Sequence, residues 1–185
     1  MITLQDYFKL GVNKLSKSHD KPITDEYFAL WVMIAQTKDG LLRARQYDYA
    51  RFNISNERRA VLWSIQNNGG KATPVEIARQ LFRELHSVSE MLIRMEKEGL
   101  ITREKASGKS RVVAKLTPKG FEIFNQSLHN ETDKRIFSVL TKKQRERLLW
   151  YLWKIRGQVL NELGIPEWKI KYPLDPHDSS GSLEE

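Results

Sequence analysis

Residues 73–117 read TPVEIARQLFRELHSVSEMLIRMEKEGLITREKASGKSRVVAKLT, and this stretch decides the fold. Its first segment, Thr73–Glu76, combines a threonine cap, a proline at the first helical position and a glutamate three residues after the cap, which predicts a helix start. A second helix is predicted over about residues 85–98. It ends at Gly99, because glycine is favoured just beyond a helix C-terminus. The stretch therefore opens with two consecutive short helices.

A hairpin follows the two helices. β-Branched residues in segments 100–103 and 111–116 flank a polar, basic loop, which predicts two strands joined by residues 106–111. The connection between the helices, residues 82–84, has no glycine, so we expect a turn that is less tight than usual. Two helices and a basic hairpin predict a winged helix-turn-helix, in which the second helix enters a DNA major groove and the loop is the wing.

Long helices are predicted on both sides of this unit. Helical periodicity indicates an amphipathic helix at residues 2–17, a long helix that Thr24 caps, and a third helix that Ser55 caps. Beyond the hairpin, Thr117 starts a helix that runs to about residue 140, and Thr141 opens the last helix with a capping box. The apolar positions of the long helix that fit its period are Tyr27, Leu30, Trp31, Ile34, Leu41, Leu42 and Tyr49. The positions that we expect to be buried after the hairpin are Phe121, Phe124, Leu128, Ile136 and Phe137. The last helix carries a wide apolar stripe of Leu148, Leu149, Leu152, Ile155, Val159 and Leu163.

These elements divide the chain into five segments. The predicted fold is mainly α (α+β), a winged helix-turn-helix with long N- and C-terminal dimerisation helices. The segments are an N-terminal helical extension (1–23), a dimerisation or linker helix (24–52), the winged DNA-binding domain (53–118), the C-terminal dimerisation helices (119–164) and a largely flexible tail (165–185). The flanking helices are more apolar than a winged unit needs, which favours pairing with a second chain; an intramolecular helical cap is the alternative.

Composition narrows the class of protein. The chain has 185 residues, with 31 lysines and arginines against 23 acidic residues, a formal charge of +8. This excess favours a polyanionic partner such as nucleic acid, although a merely basic surface is the alternative. The absence of cysteine excludes disulfides, cysteine nucleophiles and thiolate metal sites. With no signal-peptide core and no apolar run long enough to span a bilayer, we expect a soluble cytoplasmic protein.

Three segments together resemble the MarR family of transcription regulators. Leu116–Gly120 is similar to the Leu-Thr-x-x-Gly that leaves the family's wing, and Ile54–Ser55 with Val61–Leu62 is similar to the helix that opens its DNA-binding part. The recognition-helix segment matches the family pattern at Ser87, Val88, Ser89, Arg94, Glu96, Gly99 and Leu100. The resemblance covers roughly residues 27–164. It implies a homodimeric DNA-binding transcription regulator, by family default a repressor, that binds an inverted-repeat operator.

The chain departs from the family pattern at three places. The wing lacks the family's aspartate before Arg111, Glu90 stands where an arginine is frequent, and Glu84 replaces a small cap residue. Glutamate accepts from cytosine N4 but repels phosphate, so we expect an atypical operator. The predicted DNA-binding residues are His86, Ser87, Ser89, Glu90, Arg94, Arg103, Lys105, Lys109, Ser110 and Arg111.

The charge around the wing supports those candidates. Residues 103–119 hold six basic residues, with Glu104 as the only acidic residue among them. Such a stretch suits phosphate neutralisation, and Arg111 near the tip suits insertion into a narrow minor groove. The alternative for the helix candidates is that they are solvated polar positions.

The family resemblance further implies control by a small aromatic or phenolic ligand, bound between the dimerisation helices and the winged unit. The candidate residues are Trp31, Arg43, Tyr47, Arg51 and Trp63. Aromatic rings with one or two cations suit a phenol or an aromatic carboxylate. The alternative is that these tryptophans belong to the core, as we expect for Trp150 and Trp153 at the dimer interface.

An enzyme is not predicted. The four histidines are scattered, and none belongs to a metal-binding His-x-x-x-His or His-Glu-x-x-His pattern. No glycine-rich phosphate loop is present, so the sequence predicts neither a metal nor a cofactor. The rival function is a winged-helix module that binds another protein without specific DNA readout, and the charge of the wing argues against it.

Overall fold

The computed structural model describes residues 25–105, 112–128 and 131–170. The predicted helix at residues 2–17, the Thr24 cap, the wing tip and the end of the tail lie outside these ranges. The elements in chain order are α1 (Glu26–Ala50), α2 (Asn56–Asn67), β1 (Lys71–Ala72), α3 (Pro74–Leu81), α4 (Leu85–Lys97), β2 (Ile101–Lys105), β3 (Val112–Leu116), α5 (Pro118–Gln126), α6 (Glu131–Phe137), α7 (Lys142–Glu162) and a 3₁₀ turn, η1 (Glu167–Lys169). The predicted fold class, mainly helical with a small antiparallel sheet, is confirmed.

Two compact units make up the chain, residues 1–42 and 43–185. In the first, the Asp25 carboxylate accepts from the backbone N–H of Tyr27 at 2.9 Å, so Asp25 caps the start of α1. Within the single chain Tyr27, Leu30, Trp31 and Ile34 of this helix are exposed. None of the described helices is long and apolar enough to cross a membrane.

The core of the second unit forms around α2. The Ser55 hydroxyl accepts from the backbone N–H of Arg58 at 3.3 Å, which confirms the predicted cap. The inner face of this helix consists of Val61, Leu62 and Ile65, which are fully buried. The other residues of the buried core cluster are Tyr49, Ile54, Ala72, Ile77, Ala78, Val88, Leu92, Met95, Leu100, Ile101, Ala114 and Phe124.

The sheet has three antiparallel strands in the order β1-β3-β2. The predicted hairpin is present as β2 and β3, in which Ile101 pairs with Leu116 and Lys105 with Val112. The sequence did not predict β1, since its two residues are too few for a strand pattern. Their pairing with β3 places the start of α3 beside the wing strands.

The turn between α3 and α4 is tighter than expected. Phe82 adopts the left-handed conformation, with φ of 52°, that glycine adopts more easily. Its neighbour Arg83 donates its N–H to the Ala78 carbonyl at 2.9 Å, so the last turn of α3 is closed. The prediction of a loose turn is therefore wrong: a non-glycine residue accepts the strained geometry, at a cost of about 1 kcal/mol.

The single helix predicted from Thr117 to about residue 140 is wrong, because the structure contains two helices, α5 and α6. The hydroxyl of buried Ser127 donates to the Phe124 carbonyl at 2.6 Å, a local bond that competes with helix continuation. The predicted burial of Phe121 and Leu128 is wrong, since both are exposed in the single chain. At the start of α5, Gly120 is required because a Cβ there would overlap the Leu100 carbonyl oxygen.

The predicted capping box of α7 is confirmed. The Gln144 side chain accepts from the Thr141 N–H at 2.8 Å, and the Thr141 hydroxyl accepts from the Gln144 N–H at 3.3 Å. The predicted apolar stripe of α7 is largely exposed within the single chain, where Leu160 is the buried leucine. The exposed members of the stripe are Leu148, Leu149, Leu152, Ile155, Val159 and Leu163.

Candidate nucleic-acid interface

The second helix of the winged unit, α4, has one buried and one exposed face. Val88, Leu92 and Met95 anchor it in the core, with at most 1% of each residue exposed. Because helical positions three and four apart share a face, the remaining positions are held toward solvent. These include the predicted DNA-binding residues His86, Ser87, Glu90 and Arg94, all of them exposed. The buried anchors thus fix which side chains the helix presents.

Polar groups at the N-terminal end of α4 already contact one another. His86 Nε2 lies 3.1 Å from Glu90 Oε1, one helical turn away. The Ser89 hydroxyl donates to the Leu85 carbonyl at 2.8 Å, which leaves the oxygen of the hydroxyl able to accept. The Glu90 charge is therefore partly offset by His86 whenever the imidazole is protonated.

A carboxylate near the end of α4 holds the first wing strand. Glu96 accepts from the Arg103 backbone N–H at 2.9 Å and from the Arg103 Nε at 2.8 Å. The side-chain hydrogen bond from Arg103 lowers the pKa of the Glu96 carboxyl. Glu104 is thus not the only acidic residue that opposes the basic wing, because the fold brings Glu96 to Arg103 from the preceding helix. The sequence did not predict this pairing, because Glu96 precedes the basic stretch of residues 103–119.

Other basic residues of the hairpin are also engaged. Lys115 Nζ lies 2.5 Å from the Glu104 carboxylate across the two strands, and Lys119 donates to the Glu98 carbonyl at 2.9 Å. By contrast, Lys105 is exposed at the last position of β2. The predicted wing-tip residues Lys109, Ser110 and Arg111 lie outside the described residues. Among the described wing candidates, Lys105 is therefore the cation best placed to meet a phosphate.

A polar cluster that the sequence did not reveal joins α1, α2 and α6. Arg45 donates through Nε to the Asp133 carboxylate at 2.7 Å, and this hydrogen bond raises the pKa of Arg45. The Thr132 backbone N–H donates to Asp48 at 3.2 Å. Hydrogen bonds from Thr132, chiefly that of its side chain, lower the pKa of the Asp48 carboxyl. The partners are 84 or more residues apart in sequence, so no local pattern signals them.

An arginine lies between two rings in the same cluster. The Arg59 guanidinium is 5.9 Å from the centre of the Tyr49 ring and 5.4 Å from that of Phe124. Its Nε donates to the Ser127 hydroxyl at 3.3 Å, and burial lowers the pKa of Arg59. The cluster joins the end of α1 to the winged unit through cation–π and polar contacts.

The residues predicted to bind an effector occupy different environments. Trp31 is exposed in the first unit. In the second, Arg43 and Tyr47 lie one turn apart on α1 and are exposed, as is Arg51. Trp63 is half-buried against the core. For Trp63 the structure therefore agrees with the core alternative, while the three residues at positions 43, 47 and 51 are accessible from solvent.

Comparison with known proteins decides the family. The sequence profile described as "MarR family" matches residues 54–113. The organohalide-sensing transcriptional regulator RdhR-CbdbA1625, in its ligand-free crystal form, is 32% identical with a TM-score of 0.74. That alignment covers 87% of this chain and 97% of that chain. The chain belongs to the MarR family.

Two further MarR-family structures share the fold. A MarR variant from E. coli complexed with operator DNA is 23% identical, with a TM-score of 0.66 and coverage of 73% of this chain and 99% of that one. MepR from S. aureus complexed with DNA is 22% identical, with a TM-score of 0.62 and the same coverage. No curated protein sequence matches the chain significantly. Since MarR-family members are transcriptional regulators, the prediction that the chain is not an enzyme is confirmed by the family.

Proposed function

We propose that this MarR-family regulator is a cytoplasmic, dimeric repressor that binds an inverted-repeat operator. The observation that carries the proposal is the division of α4 into a buried apolar face and an exposed polar face beside a basic strand. A helix held in this way presents its first turns to base edges in a major groove. In this proposal residues 53–118 bind DNA, and helices within 24–52 and 119–164 form the dimer.

The proposed contacts divide into base readout and phosphate binding. Ser87 and Arg94 are exposed and suit base edges, since arginine donates to guanine and a hydroxyl both donates and accepts. Glu90 suits the amino group of cytosine. This contact would distinguish the protein from relatives that have an arginine at this position. Lys105, with Lys109 and Arg111 at the wing tip, supplies sequence-independent attraction to phosphate and minor groove.

Dimerisation is supported by the exposed stripe of α7. Leu149 is 54% exposed and Leu152 is 43% exposed, although both lie on an apolar face. An intramolecular cap would cover such a face, whereas here the second unit leaves it open, which favours a second copy of the chain. Twofold pairing sets two recognition helices about 34 Å apart, the spacing of one DNA turn.

An effector of the phenolic class is the remaining part of the proposal. The RdhR-CbdbA1625 regulator, 31% identical in this crystal form, has been crystallised with 2,4-dichlorophenol. We propose Arg43, Tyr47 and Arg51 of the second unit as the contacts in this chain, because an exposed aromatic ring with adjacent cations suits a phenolate. Thermal unfolding with 2,4-dichlorophenol and with aromatic acids tests this, and an unchanged Tm across the set counts against this effector class.

The DNA-binding proposal is tested by selecting duplexes from a random pool and measuring their affinity by fluorescence anisotropy. We expect enrichment of an inverted repeat, bound with two chains per duplex. Specific sites are typically bound about 10³-fold or more tightly than random DNA. Equal affinity for selected and random duplexes at low salt, or no binding, would instead favour the rival protein-interaction module.

A further inference from the structure

The segment that follows α7 folds back on the winged unit. The Ile165 N–H donates to the Leu160 carbonyl at 2.9 Å, and η1 then packs against α3. Ile170 is 2% exposed and anchors the segment. Residues 165–170, which lie at the start of the segment predicted to be a largely flexible tail, thus pack against the winged unit. The sequence did not predict this docking, since one isoleucine after a proline makes no periodic pattern.

This docking leaves two side chains on the surface. Trp168 is 80% exposed, and Lys169 Nζ lies 5.2 Å from the centre of its indole ring. Both residues line a concavity with Lys71 of β1 and Arg79 of α3. Packing does not explain why Trp168 lies next to three cations, because its largely exposed ring contributes little to the core.

The concavity is continuous with the proposed DNA-binding surface. Thr73, Glu76 and Arg79 also line a second concavity, whose other wall includes Leu85 and Ser89 at the start of the recognition helix. Val112, the first residue of the second wing strand, closes it. The surface therefore runs without a break from the first turn of α4, across the start of α3, to Trp168 and Lys169.

Three cations, Lys71, Arg79 and Lys169, line this concavity together with one carboxylate, that of Glu76. Glu76 accepts from the Thr73 N–H at 2.7 Å, so its carboxylate is held by the helix cap. Glu167 is turned toward α7, where a Cβ on Gly157 would lie only 2.8 Å from its Oε1. Gly157 thus provides the space for Glu167, while Lys71, Arg79 and Lys169 remain on the surface.

We propose that Trp168 and Lys169, together with Lys71, bind the phosphate backbone of the DNA that flanks each half-site. This inference rests on the proposed DNA-binding function and extends its surface to the segment after α7. Lysine supplies the charge, and the indole N–H is a donor suited to a phosphate oxygen. The contact carries no base readout, so it raises affinity for any flanking sequence and makes binding more salt-dependent.

The test compares wild type with the double variant Trp168→Ala/Lys169→Ala on two duplexes. One duplex carries the selected operator with about one helical turn (~10 base pairs) of DNA on each side, and the other is trimmed to the operator. On the long duplex we expect roughly tenfold weaker binding and a salt slope flatter by about two per dimer, because each chain loses one phosphate contact. On the trimmed duplex the variant should match wild type. The control is Lys142→Ala, which removes an exposed lysine from the first turn of α7, away from the concavity.

Each other result overturns the inference. Equal binding of wild type and double variant to the long duplex removes this surface from DNA recognition, as does an equal loss on both duplexes. A change of oligomeric state without DNA, seen by sedimentation, assigns the surface to a contact between copies instead. Lys169→Gln, which keeps the alkyl chain over the indole, should reproduce the flatter salt slope if the double variant is unstable. If wild type binds no duplex, the proposed function itself fails, a result distinct from all of these.

Discussion

Glu96 and Arg103 connect the recognition helix to the wing through three contacts. The Arg103 backbone N–H and Nε donate to separate carboxylate oxygens, and Nη2 lies 2.7 Å from Oε2. One carboxylate thus fixes both the start of the wing strand and the direction of its arginine. Arg103 is a basic residue that suits phosphate binding, but its guanidinium is already paired with Glu96. Its contribution to DNA binding is expected to be through the position of the wing.

Glu96→Gln should weaken operator binding without unfolding the protein. The amide retains shape but loses the charge that holds Arg103, so the wing is less well positioned. We expect affinity to fall by roughly two- to fivefold, the range for one solvent-exposed ion pair. Anisotropy with the selected duplex measures this, and Glu98→Gln, which lies in the same turn but not against Arg103, serves as a comparison. Unchanged affinity would mean that the pair does not position the wing.

The same pair makes a pH prediction. Arg103 lowers the pKa of Glu96, so the stabilisation from the pair is present above the ordinary glutamate pKa, about 4.3, and is lost as pH falls through the lowered value. Wild type should therefore lose stability on acidification below about pH 4 more steeply than Glu96→Gln. Urea unfolding between about pH 3 and pH 6 measures the free energy of unfolding of both proteins across this pKa. Parallel curves would show that the charge of Glu96 is not linked to folding.

Arg111→Ala and Arg103→Ala should differ in their salt dependence. Arg111 is proposed to meet the minor groove, so its loss should weaken binding and flatten the plot of log affinity against log salt by about one per chain. Arg103 is paired with Glu96, and its loss should lower affinity with the slope retained. A salt titration of both variants distinguishes the two roles. An equally flattened slope for Arg103→Ala would show that Arg103 itself contacts phosphate. An unchanged slope for Arg111→Ala would remove the wing tip from the mechanism.

Leu92→Ala and Ile93→Ala make a matched pair on α4. Leu92 is 1% exposed and Ile93 is 39% exposed, although they are neighbours in sequence. The first substitution leaves a cavity and should cost about 2–5 kcal/mol of unfolding free energy, whereas the second should cost roughly 1 kcal/mol or less. Urea unfolding monitored by tryptophan fluorescence compares them. Similar costs would contradict the assignment of the buried face.

Leu152→Glu should separate the proposed dimer. The residue is 43% exposed within an apolar stripe, and a charge there would be buried against the second copy. We expect monomers by sedimentation at micromolar concentration and loss of operator binding, since one chain reaches one half-site. Lys143→Glu, on an exposed residue at the start of the same helix, should leave the assembly unchanged. A dimer that persists in Leu152→Glu would exclude this face from the interface.

Arg45 and Asp133 should show coupled effects on stability. Their ion pair joins α1 to α6 and is about two-thirds or more buried at both side chains. Arg45→Met, Asp133→Asn and the double variant form a cycle, for which we expect a coupling of about 1–2 kcal/mol. Additive effects would show that the contact does not tie the helices together. A neighbouring cycle with Lys134 and Glu131, an exposed pair, should give a smaller value.

Local sequence signals predicted most of the second unit. The caps at Ser55, Thr73, Thr117 and Thr141 all form the expected hydrogen bonds, because a cap depends on residues within three positions of it. The interruption at Ser127 was missed for the opposite reason. Periodicity continues through that position, and only the burial of Ser127 against the core shows that the helix ends. The candidate DNA-binding face was predicted because burial on α4 follows its period.

What the sequence by itself determined is the set of local elements and the division of α4 into core and exposed positions, since both depend on short-range spacing. Only the tertiary structure decided which charges remain available. Glu96 reaches Arg103, Asp133 reaches Arg45, and the segment after α7 brings Trp168 and Lys169 to the edge of α3. Ion pairs and docked segments depend on distances between elements, and those distances are set by packing rather than by spacing along the chain.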